Sequence, residues 1–213
     1  MICVSIADVA LDEAENIIKE NEICEVRLDR LKADSAGIKR LFSTKGKTVA
    51  TYRPAEGLDE SARMEALILA IESGASFVDI EVEADDSFKA GIKKAAAGKE
   101  CLVIVSYHDF NKTPVMRELE QVLNWCFESG ADIAKISCRV NSIEDNARLL
   151  SLYSLNKKVI SIGMGELGKI TRIAAPLLGA PFTYASIDKS RKTAPGQIDA
   201  AQLRNIINII SES

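Results

Sequence analysis

The chain has 213 residues, 47% of them apolar, and a formal net charge of −4 at pH 7. This length suits one domain with a sizeable core. The acidic balance argues against a nucleic acid as the main partner, because such surfaces usually carry a basic patch. No signal-like segment and no long apolar stretch are found, so we predict a cytoplasmic chain without a membrane span. The five cysteines form no CxxC pair and should be free core thiols, with neither disulfides nor zinc.

Short, β-branched apolar runs recur along the chain and predict strands at residues 2–6, 24–29, 48–53, 77–83, 101–108, 132–137, 159–164 and 182–187. Helical periodicity lies between them and is clearest at residues 58–72, 115–128, 143–155 and 202–210. Asp59 and Ser142 stand where helix N-caps are expected, and Pro114 fits a first helical turn. Each strand with the helix after it makes one βα unit.

Strands that alternate with helices predict a parallel sheet. Eight units with no left-over segment favour closure into a (β/α)8 barrel, the TIM barrel of the α/β class, over an open sheet. An open sheet with a dinucleotide site should show G-x-G-x-x-G after an early strand, and none is present, so we expect no cofactor. We predict a single catalytic (β/α)8 barrel over residues 1–213, although about 250 residues is typical of this fold.

Polar side chains recur at the carboxyl ends of five predicted strands, where barrel enzymes keep their active sites. Residues two apart share a strand face, and the polar ones form one such set: Glu25, Arg27, Asp29, Thr51, Arg53, Asp79, Glu81, Glu83, Ser106, His108, Lys135 and Ser137. The apolar face should meet the helices, so the polar face should point into the barrel mouth. Any single member is compatible with a salt bridge at a strand end. Five strands with one pattern favour a polar pocket, because inward charges are costly unless paired.

Lys135 lies in the apolar segment ADIAKIS, and we expect Arg27 and Arg53 near it. Burial and nearby positive charge both disfavour the ammonium form. A neutral amine at a strand end is what imine chemistry with a carbonyl substrate requires. The alternative is a lysine that extends to solvent or pairs with Glu81.

His108 is the only histidine of the chain and ends a predicted strand, on the same face as the charged set. A group that titrates near neutrality suits proton transfer at this place, although a lone histidine is more often structural. With one histidine, and with carboxylates interleaved with arginines, we expect no metal site.

The motifs EVRLD, TYRPAEG, VDIE, SYHDF, AKIS, ISIGMGELGKITR and TAPGQ follow one another over nearly the whole chain. In this order they resemble type I 3-dehydroquinate dehydratase of the shikimate pathway. The resemblance implies dehydration of 3-dehydroquinate to 3-dehydroshikimate through a covalent lysine imine, the third step of the pathway to the aromatic amino acids. It also implies a small-molecule substrate and a homodimer.

By the same resemblance, Lys135 is the nucleophile, His108 is the general base and then acid, and Glu81 orients His108. Arg172 should hold the substrate carboxylate through its bidentate guanidinium; without the resemblance, Lys169 is as plausible. The other residues carried over should bind ring hydroxyls, order a lid or line the site: Glu25, Arg27, Arg53, Glu56, Asp79, Met164, Thr193 and Gln197. Residues 184–197 are polar, and we hypothesise that they form a lid that closes over an anionic substrate.

The sequence leaves two alternative functions open. One is another Schiff-base barrel lyase, such as a class I aldolase or transaldolase that acts on a sugar phosphate. It needs a phosphate site, often in the loops after strands 7 and 8, and no clear glycine-rich loop follows strand 8. The other is a non-catalytic barrel that binds an anionic metabolite, against which the presence of both Lys135 and His108 speaks.

Overall fold

A computed structural model describes residues 1–211, in which eight strands alternate with eight α-helices. The strands are β1 (Ile2–Ile6), β2 (Ile23–Arg27), β3 (Lys47–Thr51), β4 (Phe77–Glu81), β5 (Leu102–Asp109), β6 (Ile133–Arg139), β7 (Val159–Met164) and β8 (Thr183–Ser186). The helices are α1 (Leu11–Glu20), α2 (Ser35–Phe42), α3 (Glu60–Glu72), α4 (Asp86–Ala96), α5 (Met116–Glu128), α6 (Ile143–Ser151), α7 (Lys169–Leu177) and α8 (Ala200–Ser211). The predicted α/β barrel is confirmed.

The strands form one parallel sheet in the order β7-β6-β5-β4-β3-β2-β1-β8. No ladder joins β7 to β8 within residues 1–211, so the barrel is nearly closed. Helix α7 connects these two strands and contributes Arg172, whose Nη1 donates to the carbonyl of Tyr184 at 3.3 Å. The Arg172 side chain thus donates a hydrogen bond to a backbone carbonyl of β8, next to the edge where β8 is not paired with β7.

Two predicted strands coincide with the observed ones, and each of the other six differs from its observed strand by at most two residues at each end. The helix predicted over residues 143–155 ends at Ser151 and continues as a 3-10 turn. Pro114 lies just before α5 and not within its first turn. Asp59 caps α3 by accepting from the N–H of Ser61 at 2.9 Å, as predicted.

Two apolar regions lie on the two sides of the sheet. The outer one fills the space between strands and helices and includes Val26, Ile80 and Ala134. The inner one lies inside the barrel and comprises ten residues: Cys3, Ile23, Val49, Phe77, Ile104, Ile133, Ile160, Ile162, Phe182 and Tyr184. The alternation predicted for β2, β4 and β6 is confirmed, because their apolar faces meet the helices and their polar faces point inward.

All five cysteines are buried and unpaired, as predicted. Burial raises the pKa of four of these thiols, Cys24, Cys101, Cys126 and Cys138, to about 12. These four side chains therefore stay protonated at neutral pH and pack as small apolar residues. Among residues 1–211, every helix is too short or too polar to cross a membrane.

Candidate active site

A cavity of about 710 Å³ opens at the carboxyl ends of the strands. Small-molecule sites usually have volumes of about 300–1,000 Å³. Ten of the twelve predicted site residues line this cavity: Glu25, Arg27, Arg53, Glu81, His108, Lys135, Met164, Arg172, Thr193 and Gln197. Strand alternation, one helix and the loop after β8 thus bring most of the predicted residues to one place.

Lys135 lies in the middle of β6, where it is 5% exposed and lines the cavity. Its Nζ donates to Oδ2 of Asp79 at 2.8 Å and lies 3.8 Å from Oε1 of Glu25. The prediction that arginines surround this amine is wrong, because its direct neighbours are carboxylates. Arg53 is near it only in that both side chains donate to Oδ2 of Asp79. Its partner is Asp79 and not the Glu81 of the alternative. An ion pair therefore holds Nζ in place.

Asp79 and Arg53 are the centre of a buried network beneath the cavity. Arg53 donates to the two carboxylate oxygens of Asp79 at 3.0 and 2.8 Å, and Ser106 donates to Oδ1 of Asp79 at 2.7 Å. Burial alone would raise the pKa of Asp79, but Arg53 and Lys135 hold it well below its usual range. Asp79 is fully buried and does not line the cavity, so it reaches the site through Lys135.

His108 lies near the end of β5, half-buried, with its ring stacked on the exposed ring of Phe110 at 6.0 Å between centroids. Burial lowers the pKa of His108, the positive charges of Arg53 and Lys135 lower it further, and Asp79 opposes them. The imidazole is therefore neutral at physiological pH, which is the form that accepts a proton.

Both carboxylate oxygens of Glu81 accept from arginines. Oε1 accepts from Arg53 at 2.6 Å, and Oε2 accepts from Arg63 of α3, which is 1% exposed. Arg63 also donates to the carbonyl of Tyr52 at 2.7 Å. Within the described chain no hydrogen bond joins Glu81 to His108, so the orienting role of Glu81 stays a prediction. Arg63 was not predicted at the site because a charged helix residue is expected to face solvent, although helical periodicity places it on the buried face of α3.

Among residues 1–211, Arg172 is a buried cation without a carboxylate partner. It is 1% exposed, it donates to the carbonyl of Tyr184, and its Nε has no hydrogen-bond partner within residues 1–211. Burial lowers the pKa of Arg172 to about 10, and the charge of Glu25 opposes this effect. A buried charge is costly unless it is paired, so a guanidinium that lines a cavity in this state suits an anionic ligand.

The other candidates for anion binding are already paired. Arg27 donates to both carboxylate oxygens of Asp29, at 2.9 and 2.6 Å. Lys169, which was as plausible as Arg172 by sequence alone, donates to Glu166 on the surface and does not line the cavity. The structure therefore favours Arg172 over Lys169.

The loop after β8 covers one side of the cavity. The side-chain oxygen of Gln197 accepts from the N–H of Thr193 at 2.7 Å, and its amide nitrogen lies 3.4 Å from Oγ of Ser5. Farther along the same loop, Arg191 donates to Glu13 of α1. The N–H of Gly165 also donates to the carbonyl of Pro195 at 3.2 Å, so the loop is tied to the barrel at several points. The first three residues of the predicted lid, 184–186, belong to β8, and the lid hypothesis stays a prediction for the loop that follows.

Glu56 is a predicted site residue that the structure leaves outside the cavity. It is exposed in the loop after β3, next to Gly57, whose φ of 76° turns the chain there. Tyr184, by contrast, lines the cavity from β8 and was not selected. Strand alternation holds a signal for it, because Phe182, Tyr184 and Ser186 share a face, but an aromatic residue in that pattern is typical of core.

The geometry agrees with what comparison with known proteins finds. A family model described as Type I 3-dehydroquinase matches residues 2–213. A 3-dehydroquinate dehydratase of Methanococcus maripaludis (strain C7) is 34% identical over 99% of this chain and 100% of its own length. The same enzyme of Methanosarcina acetivorans is 37% identical over 90% of this chain and 86% of its own. The crystal structure of the 3-dehydroquinate dehydratase from Aquifex aeolicus superposes with a TM-score of 0.80 at 29% identity, with 100% of each chain covered.

Proposed function

This chain belongs to the type I 3-dehydroquinase family of lyases, which serve the shikimate pathway, and from that premise we propose that it dehydrates 3-dehydroquinate to 3-dehydroshikimate through an imine on Lys135. One observation carries the proposal. The same cavity is lined by a buried lysine, by a histidine with a lowered pKa and by the buried Arg172, which has no carboxylate partner in the described part of the chain. We assign the reaction to the third step of aromatic amino-acid biosynthesis.

The first step joins the substrate to the amine. The unprotonated Nζ of Lys135 attacks the ring ketone carbon, and the ketone oxygen leaves as water once it has gained two protons. A carbon–nitrogen double bond replaces the carbon–oxygen one. When the imine nitrogen is protonated, it withdraws electrons from the neighbouring carbon, and the hydrogens on that carbon become acidic.

The second step removes water from the ring. The neutral imidazole of His108 takes a proton from the carbon next to the imine, and the electron pair moves to nitrogen to give an enamine. The pair then returns, the protonated imine re-forms, and the hydroxyl on the next carbon leaves as water with the proton that His108 held. Hydrolysis consumes one water and frees the ketone product and the amine, so one water is lost overall.

Arg172 supports the choice of substrate. A substrate carboxylate placed beside this guanidinium would receive two parallel hydrogen bonds and would compensate a buried charge that lacks a partner. We propose that Glu25, Arg27, Arg53 and Gln197 bind ring hydroxyls, with Thr193 and Gln197 in the lid. Met164 and Ile162 on β7 are 3% exposed and form an apolar wall.

Asp79 and Glu81 would act through Lys135 and Arg53, as their contacts indicate. A contact between Glu56 and substrate would require the loop after β3 to move. The homodimer and the cytoplasmic location stay predictions.

Turnover of purified protein tests the proposal. The product has a double bond conjugated with both a ketone and a carboxylate, so its formation from 3-dehydroquinate is followed by ultraviolet absorbance. We expect the rate of absorbance increase to be proportional to enzyme concentration. Mass spectrometry should identify the product as 3-dehydroshikimate. Turnover of a sugar phosphate without turnover of 3-dehydroquinate would favour the aldolase alternative, and turnover of neither would contradict the assignment.

A further inference from the structure

An aromatic ring faces the nitrogen on which the proposed chemistry takes place. Nζ of Lys135 lies 4.2 Å from the centroid of the Tyr184 ring, over its face. The face of an aromatic ring attracts a cation, most strongly where water is excluded. Tyr184 is 3% exposed and Lys135 is 5% exposed, so both partners are largely out of water.

We propose that the Tyr184 ring is a further catalytic group, which stabilises the positive charge of the protonated imine on Lys135. This inference rests on the proposed function, because it concerns an intermediate of that reaction. The protonated imine is the electron sink of both chemical steps, and an imine nitrogen binds a proton less strongly than an amine does. A group that stabilises its charge therefore raises the fraction of intermediate that reacts.

The ring is held in this orientation by its surroundings. Tyr184 packs edge-to-face on Phe182, with 5.5 Å between centroids and an interplanar angle of 64°. Its backbone is paired in register with Cys3 of β1, and Arg172 donates to its carbonyl. The residue that faces the reacting nitrogen is thus also bonded to the proposed carboxylate anchor.

The carboxylates near Lys135 do not make the ring redundant. A lysine ammonium has three N–H donors, whereas a protonated imine on the same nitrogen has one. Asp79 already accepts from Arg53 and Ser106, so its charge is shared. Attraction between the ring face and the positive charge does not require an N–H that points at the ring. It therefore persists when imine formation removes two N–H donors from the nitrogen and the charge spreads over nitrogen and carbon.

The hydroxyl of Tyr184 is not part of this role. Its oxygen is buried and has no hydrogen-bond partner within residues 1–211. Burial raises the pKa of Tyr184, and the negative charge of Glu25 raises it further, so the ring stays neutral and electron-rich at the pH of the reaction. Removal of the oxygen should leave the effect on Lys135 intact.

Three variants distinguish the effect of the Tyr184 ring from the effects of its hydroxyl and of buried aromatic packing nearby. Tyr184→Phe keeps the ring face and removes the hydroxyl, while Tyr184→Leu removes the ring. Phe77→Leu is the matched control, since it removes another buried ring of the inner apolar region, one that packs on Phe182 and not on Tyr184 in the described chain. Phenylalanine analogues with increasing fluorination at position 184 keep the size and weaken the attraction for a cation, so they serve if Tyr184→Leu does not fold.

The readout is cyanoborohydride trapping with 3-dehydroquinate, because this reagent reduces the protonated imine and spares the neutral one. Adduct is measured by intact mass from mildly acidic to mildly alkaline pH. The charged or titratable groups around the nitrogen come from five other strands or their ends: Cys3, Glu25, Arg53, Asp79 and His108. All of them are unchanged in the three variants, so differences between variants report on position 184 or 77.

We expect Tyr184→Phe and Phe77→Leu to trap adduct as the parent chain does. Tyr184→Leu should trap about tenfold less at alkaline pH, with a smaller deficit at acidic pH, and trapping should fall with each added fluorine. An equal loss in Tyr184→Phe, or no loss in Tyr184→Leu and the fluorinated series, would overturn the role of the ring. Absence of adduct in the parent chain would instead refute the proposed function.

Discussion

Two layers of the barrel interior, two residues apart on the same strands, have opposite chemistry. The apolar layer comprises Ile23, Val49, Phe77, Ile104 and Ile133, and the polar layer comprises Glu25, Thr51, Asp79, Ser106 and Lys135. Members of both layers are nearly inaccessible to solvent. One layer is stabilised by removal of hydrocarbon from water, and the other requires that each charge be matched by a hydrogen bond or an opposite charge.

The difference between the layers indicates how a stable fold accommodates a site whose buried charges cost free energy. The apolar layer and the outer core stabilise the barrel, while the polar layer is arranged around Asp79, on which three side chains converge. Arg172 is the exception, because this buried cation has no carboxylate partner within residues 1–211. The site is therefore expected to gain its last partner from a ligand.

The largest contrast should come from two neighbours on β6. Lys135→Met removes the nucleophile, and turnover should fall by on the order of 10⁴-fold or more, while Asp79 keeps Arg53 and Ser106 and the fold persists. Ile133→Ala should lower the free energy of unfolding by about 2–5 kcal/mol and leave turnover per folded molecule nearly unchanged. Denaturant titration and steady-state kinetics measure both. If folded Ile133→Ala lost turnover, the assignment of stability to the apolar layer and of chemistry to the polar layer would be wrong.

Replacement of Arg172 should separate stability from binding. Arg172→Met removes an unpaired buried charge, so the free energy of unfolding should rise by about 1–3 kcal/mol. It also removes the carboxylate anchor, and kcat/KM should fall by about 10²–10³-fold. The control is Arg27→Met, which breaks a bidentate pair with Asp29 and should not stabilise the fold. A less stable Arg172→Met protein would contradict the view that this cation awaits an anion.

The pH dependence should follow the lowered pKa of His108. A base acts when deprotonated, so kcat/KM should persist as pH falls through 6.5, the ordinary value, and decline only below it. The unfolded chain takes up this proton at higher pH than the folded one, so the contribution of His108 to stability is present above pH 6.5 and is lost as pH falls below it. Because the chain has one histidine, its imidazole NMR signals give the pKa directly. A value at or above 6.5 would be incompatible with this geometry.

The smallest effect is expected at the lid. Glu13→Gln breaks the exposed pair with Arg191 and should raise proteolysis within residues 187–197, the loop after β8, by about twofold to fivefold. Glu20→Gln on the same helix is the control, since Glu20 has no ion pair within residues 1–211. Bound 3-dehydroshikimate should protect the segment in both variants, and unchanged cleavage with ligand would rule out a lid.

The sequence predicts the strands and their inward faces well, because a period of two residues is a local property. It does not predict which inward residues meet. Lys135 is in register with Ser106, yet its partner is Asp79, one strand farther and lower, because strands in a barrel are staggered. Arg63 reaches the site from α3, where periodicity places it on the buried face with Leu67 and Ile71 but its charge predicts exposure.

The resemblance to a family supplied Arg172, which no local pattern would have chosen. The same resemblance also supplied Glu56, and the structure has that residue exposed in a loop. A motif transfers the residue type and its order along the chain, whereas the loop conformation decides where the side chain lies. Strand residues can consequently be placed from alternation alone, whereas the places of loop residues depend on the loop conformation: Thr193 and Gln197 line the cavity, and Glu56 does not.

The central claim is that Lys135 forms a covalent imine with the substrate, and one measurement tests it most directly. The protein is mixed with 3-dehydroquinate, reduced with borohydride, digested and mapped by mass spectrometry. We predict one adduct per chain on the peptide that contains Lys135, and none in Lys135→Met. An adduct on another lysine, or turnover of 3-dehydroquinate with no adduct at all, would contradict the account.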